Sequence, residues 1–134
     1  MFKDFNGTLI ILVRHGECEE NIKGMFRGRT DFPLNERGLI QAQDLARELK
    51  NFPLKYIYTS PLSRARQTAE AIGQECGIEV KVEEQFNNIA SPYFWKIHLD
   101  TASYSLLSYK ENRGYCLIQL NQTKHLKEYF SEWV

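Results

Sequence analysis

The sequence predicts an α/β protein in which helices cover a parallel β-sheet. Strand-like and helix-like segments alternate at short spacing from residue 8 to residue 82, the pattern of parallel strands joined by right-handed helical crossovers. The first segment, Thr8–Val13, is a continuous run of β-branched residues and leucine. Such runs are typical of strands buried on both faces of a parallel sheet. We therefore expect one α/β domain with Thr8–Val13 inside the sheet.

Two helices are predicted between the first three strands. Asn35 is a favourable N-cap, and apolar residues then recur on one helical face as far as Asn51. The second helix is predicted from Ser63 to Gln74, with Gly77 closing it, because glycine favours the end of a helix. This spacing gives each strand-to-strand connection one helix.

Short strands are predicted after each helix, at Tyr56–Thr59 and Ile78–Val82. The alternation stops after Glu83. Two further strand-like segments, Ser103–Tyr109 and Tyr115–Leu120, flank a loop that contains glycine. The C-terminal part therefore predicts a β-hairpin that follows the α/β part.

Composition excludes several classes of protein. The 134 residues (15.7 kDa) contain 17 Lys+Arg and 17 Asp+Glu, with a pI near 6.8, so no net positive field favours nucleic acid. The apolar run from Leu9 to Val13 is too short for a membrane span or a signal peptide, and we expect a cytoplasmic protein. Cys18, Cys76 and Cys116 lie far apart, which indicates neither a disulfide framework nor a zinc site.

Basic and nucleophilic side chains follow the first strand. Arg14, His15 and Gly16 come directly after Val13, and Arg64 lies in the first turn of the second predicted helix. Ligands of open α/β sheets bind beyond the carboxyl ends of the strands, and helix N-termini and guanidinium groups bind phosphate oxygens. A histidine between two such cations can attack phosphorus while the cations stabilise the developing charge. These residues predict a phosphoryl-transfer site.

Three segments carry a more specific pattern: LVRHGE at 12–17, FRGRTDFPLNERGLIQAQ at 26–43 and TSPLSRARQTAEAI at 59–72. In this order and on these predicted elements they resemble the histidine phosphatase superfamily, also called phosphoglycerate mutase-like. The second segment is most similar to that of the small bacterial phosphatases of the family, the α-ribazole-phosphate phosphatases among them. The resemblance implies a three-layer α/β/α sandwich with a mostly parallel sheet and a C-terminal β-hairpin.

The resemblance also implies roles for single residues. His15 matches the histidine that becomes phosphorylated, and Arg14 and Arg64 match the two arginines of the phosphate pocket. Further contacts to the substrate phosphate are implied for three residues: Asn21, Arg27 and Gly28. The implied reaction needs no metal and no nucleotide cofactor, because the guanidinium groups supply the positive charge.

Two parts of the family pocket have no counterpart in this sequence. The family carries a second histidine in a late V-x-x-V-[ST]-H-G strand, and an acid in an L-x-E-x-x-x-G-x-W segment that protonates the leaving group. Asn88 stands where the acid would be. His98 and His125 lack the strand signal of the second histidine, and we interpret both as residues of the surface or the edge of the core.

The resemblance covers residues 8–89 and about 92–126, so that a single domain spanning 1–134 lacks a central piece near 89–92. That piece, on the order of 60 residues, would hold a strand beside the first one. Its loss would leave Leu9–Val13 with an unpaired edge. Residues omitted from the sequence, a true deletion, and a deletion repaired by pairing with another chain all explain the gap. The first is favoured, because each half matches cleanly.

The resemblance therefore implies a phosphomonoester hydrolase that forms a phosphohistidine and acts on a small phosphorylated metabolite, for example α-ribazole phosphate. Two alternatives stay open: a phosphoglycerate mutase, and a catalytically impaired module that binds phosphate or a protein partner. A homodimer would repair the strand edge. Nucleic acid and membranes are not expected partners.

Overall fold

The computed structural model describes residues 6–19, 31–88 and 99–127, and its secondary structure follows the predicted α/β order. The elements in chain order are β1 (Thr8–Val13), α1 (Glu36–Leu49), β2 (Ile57–Thr59), α2 (Ser63–Cys76), β3 (Val80–Val82), a 3₁₀ helix (Glu84–Asn88), β4 (Tyr104–Lys110) and β5 (Gly114–Gln122). The predicted alternation of strands and helices, and the hairpin after it, are therefore present.

Local signals account for the start of α1 and for the end of α2. The Asn35 side chain accepts a hydrogen bond from the Gly38 N–H (2.8 Å), the expected N-cap of α1. Helix α2 ends at Gly77, which has the left-handed φ of 69° that glycine tolerates best. Its last residue, Cys76, lies two positions beyond the predicted end.

The prediction of a mostly parallel sheet is not confirmed in the described ranges, which contain two separate sheets. One is antiparallel, with the strand order β1-β4-β5, and the other is the parallel pair β2-β3. In the first sheet Ile11 lies opposite Leu106, so a strand from the C-terminal hairpin is the hydrogen-bonded neighbour of β1. The pairing of strands that are about ninety residues apart cannot be predicted from local periodicity, because the spacing of apolar residues indicates only which face of a strand or helix is buried.

The prediction that β1 is buried on both faces is wrong. Leu12 is 54% exposed and Val13 is 36% exposed. Strand β1 lies at the edge of its sheet, and within the described residues it pairs only with β4. As far as the described residues show, the apolar run thus belongs to a strand with one unpaired edge and with an exposed leucine, Leu12.

The core lies between the two helices and one face of the antiparallel sheet. Leu45 and Leu49 of α1 pack in one cluster with Ile72 of α2 and with Tyr104 and Leu106 of β4. Side chains from both sheets, Ile11 of β1 and Ile57 of β2, pack against this same cluster. Both described helices therefore cover one face, and the second helical layer of a three-layer sandwich is not among the described residues.

Helices long and apolar enough to cross a lipid bilayer are absent from the part of the chain that the structure describes.

Candidate functional site

The candidate site is the loop Arg14-His15-Gly16, which leaves the carboxyl end of β1. Hydrogen bonds attach it to three parts of the fold: the first turns of α2, the first turns of α1, and residues 99–103, the turn before β4. We call residues 99–103 the clasp turn. Because all three neighbours hold backbone atoms of the loop, its conformation is set by the whole fold.

The His15 side chain has a defined orientation. Its Nδ1 lies 2.7 Å from the carbonyl oxygen of Gly16. A carbonyl oxygen can only accept, so Nδ1 carries the proton of this hydrogen bond. In the neutral ring the lone pair then belongs to Nε2. In this tautomer Nε2 is the ring nitrogen that can accept a proton or attack an electrophile.

Helix α2 holds the loop through Thr68. The Gly16 N–H donates to the Thr68 hydroxyl (3.1 Å), and the same hydroxyl donates to the Arg64 carbonyl one turn earlier (2.8 Å). Arg64 is only 5% exposed. The structure thus joins the backbone of Arg64, predicted from the sequence, to the residue that follows His15. Thr68 was not predicted, although its position four residues after Arg64 places both on one helical face.

Helix α1 holds the other side of the loop. The Glu17 N–H donates to Oε1 of Gln41 (2.8 Å), and the Asn35 N–H donates to the carbonyl of Glu17 (3.1 Å). A Cβ atom on Gly16 would lie 2.5 Å from the carbonyl oxygen of Gly38. The group that approaches Gly16 this closely is therefore the backbone in the first turn of α1.

The segment before α1 is fastened to the beginning of α2. Asp31 accepts from the N–H of Ser63 (2.6 Å) and from its hydroxyl (3.0 Å), and the Leu34 N–H donates to Oε1 of Gln67 (2.8 Å). The hydrogen bonds from Ser63 lower the pKa of the Asp31 carboxyl below its ordinary value of 3.8. Asp31 thus caps α2 from outside that helix, beside Arg64.

The clasp turn contacts the loop from the third side. The Arg14 N–H donates to the Ser103 carbonyl (3.0 Å), and the Ala102 N–H donates to the His15 carbonyl (2.9 Å). The guanidinium of Arg14 also donates to the carbonyl of Leu99. Backbone and side chain of Arg14 are therefore both bound by this turn, a contact between residues 85 positions apart that no local pattern indicates.

Three of the six predicted site residues, Asn21, Arg27 and Gly28, lie outside the described residues, as does His98. The same holds for the expected junction at 89–92.

The remaining candidate reactive groups are the three cysteines and any cluster of side chains that could bind a metal ion. Cys18 is completely buried, Cys76 is partly buried and Cys116 is exposed. Groups of three or more His, Cys, Asp or Glu side chains that could hold a metal ion do not occur within residues 6–19, 31–88 and 99–127.

Comparison with known proteins extends these observations. The model of the family described as "Histidine phosphatase superfamily (branch 1)" matches residues 10–93. A protein of Cronobacter sakazakii named "Probable phosphoglycerate mutase GpmB" is 37% identical over 94 residues, which are 70% of this chain and 44% of that protein. The chain thus spans less than half the length of this curated relative.

Solved structures share the fold. The α-ribazole phosphatase of Shigella flexneri matches with a TM-score of 0.72 at 17% identity, over 86% of this chain and 96% of that one. At this identity the match concerns the fold alone.

A mycobacterial glucosyl-3-phosphoglycerate phosphatase matches in two ways. Its VO3 complex is 32% identical with a TM-score of 0.55, over 56% of this chain and 36% of that one. Its native structure matches with a TM-score of 0.72 at 16% identity, over 88% of this chain and 100% of that one. Compared with the first match, the second covers a further 32% of this chain (88% less 56%) but a further 64% of the other chain (100% less 36%).

Proposed function

The chain belongs to the histidine phosphatase superfamily, and from this premise we propose that it is a phosphomonoester hydrolase that works through a phosphohistidine. The observation that carries the proposal is the hydrogen bond from His15 Nδ1 to the Gly16 carbonyl, because it leaves Nε2 as the nucleophilic nitrogen. In the proposed reaction the Nε2 lone pair forms a bond to phosphorus. The phosphorus–oxygen ester bond breaks, and its electron pair leaves with the alcohol oxygen. Water then attacks the phosphohistidine and releases inorganic phosphate, which returns Nε2 to its starting state.

We propose that the substrate phosphate binds between the guanidinium groups of Arg14 and Arg64. Arg14 precedes His15, and Arg64 is tied through Thr68 to the residue that follows it. Guanidinium groups bind phosphate oxygens in a bidentate manner and stabilise the charge of the transition state, so the proposed reaction requires no metal. Asn21, Arg27 and Gly28 complete the proposed phosphate contacts.

The leaving group is the weak point of the proposed reaction. Asn88 stands where the family has its acid, and an amide cannot donate a proton to a departing alkoxide. A missing general acid costs about 10²- to 10⁴-fold in rate. Aryl phosphates, whose phenolate leaves without a proton, should therefore be much better substrates than alkyl phosphates.

A phosphoglycerate mutase is the second candidate. It is favoured by the relative from Cronobacter sakazakii, which carries that name and is 37% identical. A mutase returns the phosphoryl group of the phosphohistidine to a second hydroxyl of the substrate, whereas a hydrolase gives it to water. Transfer of labelled phosphate from phosphoglycerate to its isomer, without release of inorganic phosphate, would identify the mutase.

We propose a small phosphorylated metabolite as the substrate, with α-ribazole phosphate as one candidate, and a cytoplasmic location.

We also propose that residues 1–134 form one domain that is shortened internally near 89–92. The two matches to the mycobacterial phosphatase support this. In the shorter match, 56% of this chain corresponds to 36% of the other protein. At that ratio the further 32% of this chain would correspond to about a fifth of the other protein, whereas the longer match adds 64% of it.

The test measures hydrolysis of p-nitrophenyl phosphate and of glycerol phosphate by the purified chain and three variants. We expect turnover of the aryl ester, its loss in His15→Ala, and a loss of about 10²-fold or more in Arg64→Ala. Arg66→Ala is the matched control, because Arg66 lies on the same helix with a half-exposed side chain that forms a surface ion pair with Glu70 (3.6 Å). An acid-labile phosphohistidine should form only in the wild type and in the Arg66→Ala control.

Phosphate binding without turnover and without a phosphohistidine would overturn the hydrolase proposal. It would instead favour the remaining alternative, a catalytically impaired module that binds phosphate or a protein partner.

A further inference from the structure

The clasp turn, residues 99–103, is itself held in place from behind by two side chains. The Asp100 N–H donates to Oδ1 of Asn121 (2.8 Å), and Nδ2 of Asn121 donates back to Oδ2 of Asp100 (2.8 Å). The second side chain is His125, whose Nε2 donates to the carbonyl of Ala102 (2.8 Å). Both belong to the sequence N-x-x-x-H, to which the proposed reaction assigns no role.

The turn needs such support because it is polar, buried and strained. Asp100, Thr101 and Ser103 are each at most 5% exposed, and burial of polar groups is costly unless they are hydrogen-bonded. Ala102 has a φ of 53°, a left-handed conformation that a residue with a Cβ rarely adopts. Strained backbone of this kind persists only where the surrounding structure determines it.

Ala102 connects the support to the site directly. Its carbonyl accepts from His125, and its N–H donates to the His15 carbonyl (2.9 Å). On either side of it, Ser103 and Leu99 accept from the Arg14 backbone and guanidinium. Displacement of the turn would therefore move both Arg14 and His15.

The environment of His125 suits a fixed neutral donor. Its ring packs against Tyr104 with centroids 5.5 Å apart, and the Tyr104 hydroxyl donates to Glu48 Oε1 (2.8 Å). Burial lowers the pKa of His125 below its ordinary value of 6.5, more than the bond to Ala102 and the carboxylates of Glu48 and Asp44 raise it. The contact with Ala102 requires a proton on Nε2, and the lowered pKa favours the neutral ring that carries its one proton there.

We propose that Asn121 and His125 are positioning residues that hold Arg14 and His15 in their reactive arrangement through the clasp turn. This inference rests on the proposed function for its catalytic consequence, but its structural content can be tested without turnover. Neither residue touches the reacting atoms in this arrangement. Their effect is on where the nucleophile and one phosphate-binding guanidinium lie, and a displacement of about 1 Å can cost about 10²-fold in rate.

The first experiment compares two variants at His125. His125→Phe keeps an aromatic ring against Tyr104 but removes the donor, whereas His125→Gln keeps an N–H that can reach the Ala102 carbonyl. Asn121→Gly removes the side chain and tolerates the left-handed φ of 51° found there. The matched control is Lys124→Gln, an exposed residue beside His125.

The readouts are the ¹⁵N chemical shifts of the His15 ring, the affinity for inorganic phosphate, and kcat/KM with p-nitrophenyl phosphate. We expect His125→Phe and Asn121→Gly to shift the His15 signals away from the single Nδ1-protonated form, to weaken phosphate binding, and to lower kcat/KM by about 10- to 100-fold. His125→Gln should recover most of the loss. The proposal is overturned if the folded His125→Phe protein keeps the wild-type His15 signals, or if His125→Gln loses as much as His125→Phe.

If the wild-type chain shows no turnover, the proposed function fails, whereas the His15 signals and phosphate affinity still decide the positioning role. If the variants do not fold, a measurement on the wild type alone still tests the proposal. Hydrogen exchange of the Ala102 N–H and of the His125 Nε2 proton should be slow, because the first is hydrogen-bonded to the His15 carbonyl and the second to the Ala102 carbonyl. Rapid exchange of either proton in the folded protein would contradict the proposal.

Discussion

At the scale of single residues, the candidate site depends on a contact between two glycines as much as on its polar side chains. Gly16 follows His15, and Gly38 lies in the first turn of α1. A Cβ on Gly38 would lie 2.0 Å from the carbonyl oxygen of Glu17, closer than any real contact of this kind. The absence of a side chain at both positions therefore determines how closely the His15 loop approaches the helix.

We predict that Gly38→Ala lowers the free energy of unfolding by about 1–3 kcal/mol, because the added methyl group pushes the loop away from α1. An alanine in an unhindered helix interior would instead stabilise by up to about 1 kcal/mol. Urea titration of the variant gives the sign. Gln43→Ala, on the exposed face of the same helix, is the control and should change little. A gain in stability for Gly38→Ala would show that the contact relaxes without cost.

At the scale of elements, the beginning of α2 is unusual because its cap comes from a distant segment. Leu62 occupies the N-cap position and offers no side-chain hydrogen bond. Asp31 supplies one instead, to the N–H and the hydroxyl of Ser63, and a negative charge at a helix N-terminus is favourable. The segment before α1 and the helix that carries Arg64 are thereby joined into one unit.

We predict that Asp31→Asn makes the stability less dependent on pH in the acid range. The carboxylate of Asp31 has a lowered pKa in the folded protein, so its stabilising effect is present above its ordinary pKa of 3.8 and is lost as the pH falls through the lowered value. The difference in free energy of unfolding between wild type and Asp31→Asn should be constant above about pH 5 and shrink below about pH 4. Glu70→Gln, an exposed carboxylate on α2, is the control. A difference that stays constant down to pH 3 would contradict the assignment.

At the scale of the whole molecule, the chain has one core but an open sheet. Leu12, Tyr109, Tyr115 and Leu117 lie on one face of the antiparallel sheet and are exposed, and β1 has a free edge among the described residues. Exposed apolar edge strands pair readily with other chains, and a net charge of zero gives no repulsion against this. A homodimer, which the sequence leaves as a possibility, would cover this surface.

We predict that the purified chain sediments with about twice the mass of one 15.7 kDa protomer, and that Leu12→Lys shifts it toward the protomer. A charge on the exposed face of the edge strand disfavours association without entering the core. Tyr56→Lys, at a residue that is 65% exposed outside this sheet, is the control. Intact mass spectrometry first establishes the protomer mass. Sedimentation as a single protomer at all concentrations would remove the dimer proposal.

The amino-acid sequence by itself determined the elements and the chemical character of the site. Asn35 and Gly77 mark the ends of helices through their own backbone preferences, so both helices were predicted to within two residues at each end. Arg14, His15 and Gly16 follow β1 in the order that the family motif requires, and the family assignment followed from such local motifs. These features are encoded by neighbours along the chain, and neighbours can be read without coordinates.

Only the tertiary structure decided which strands pair and what holds His15. The pairing of β1 with β4, the Gly16–Gly38 contact and the clasp turn all join residues that are far apart in sequence. A local pattern reports which face of an element is buried but not what buries it. The antiparallel sheet and the support of Arg14 and His15 from Asn121 and His125 therefore emerged only when packing had brought both ends of the chain together.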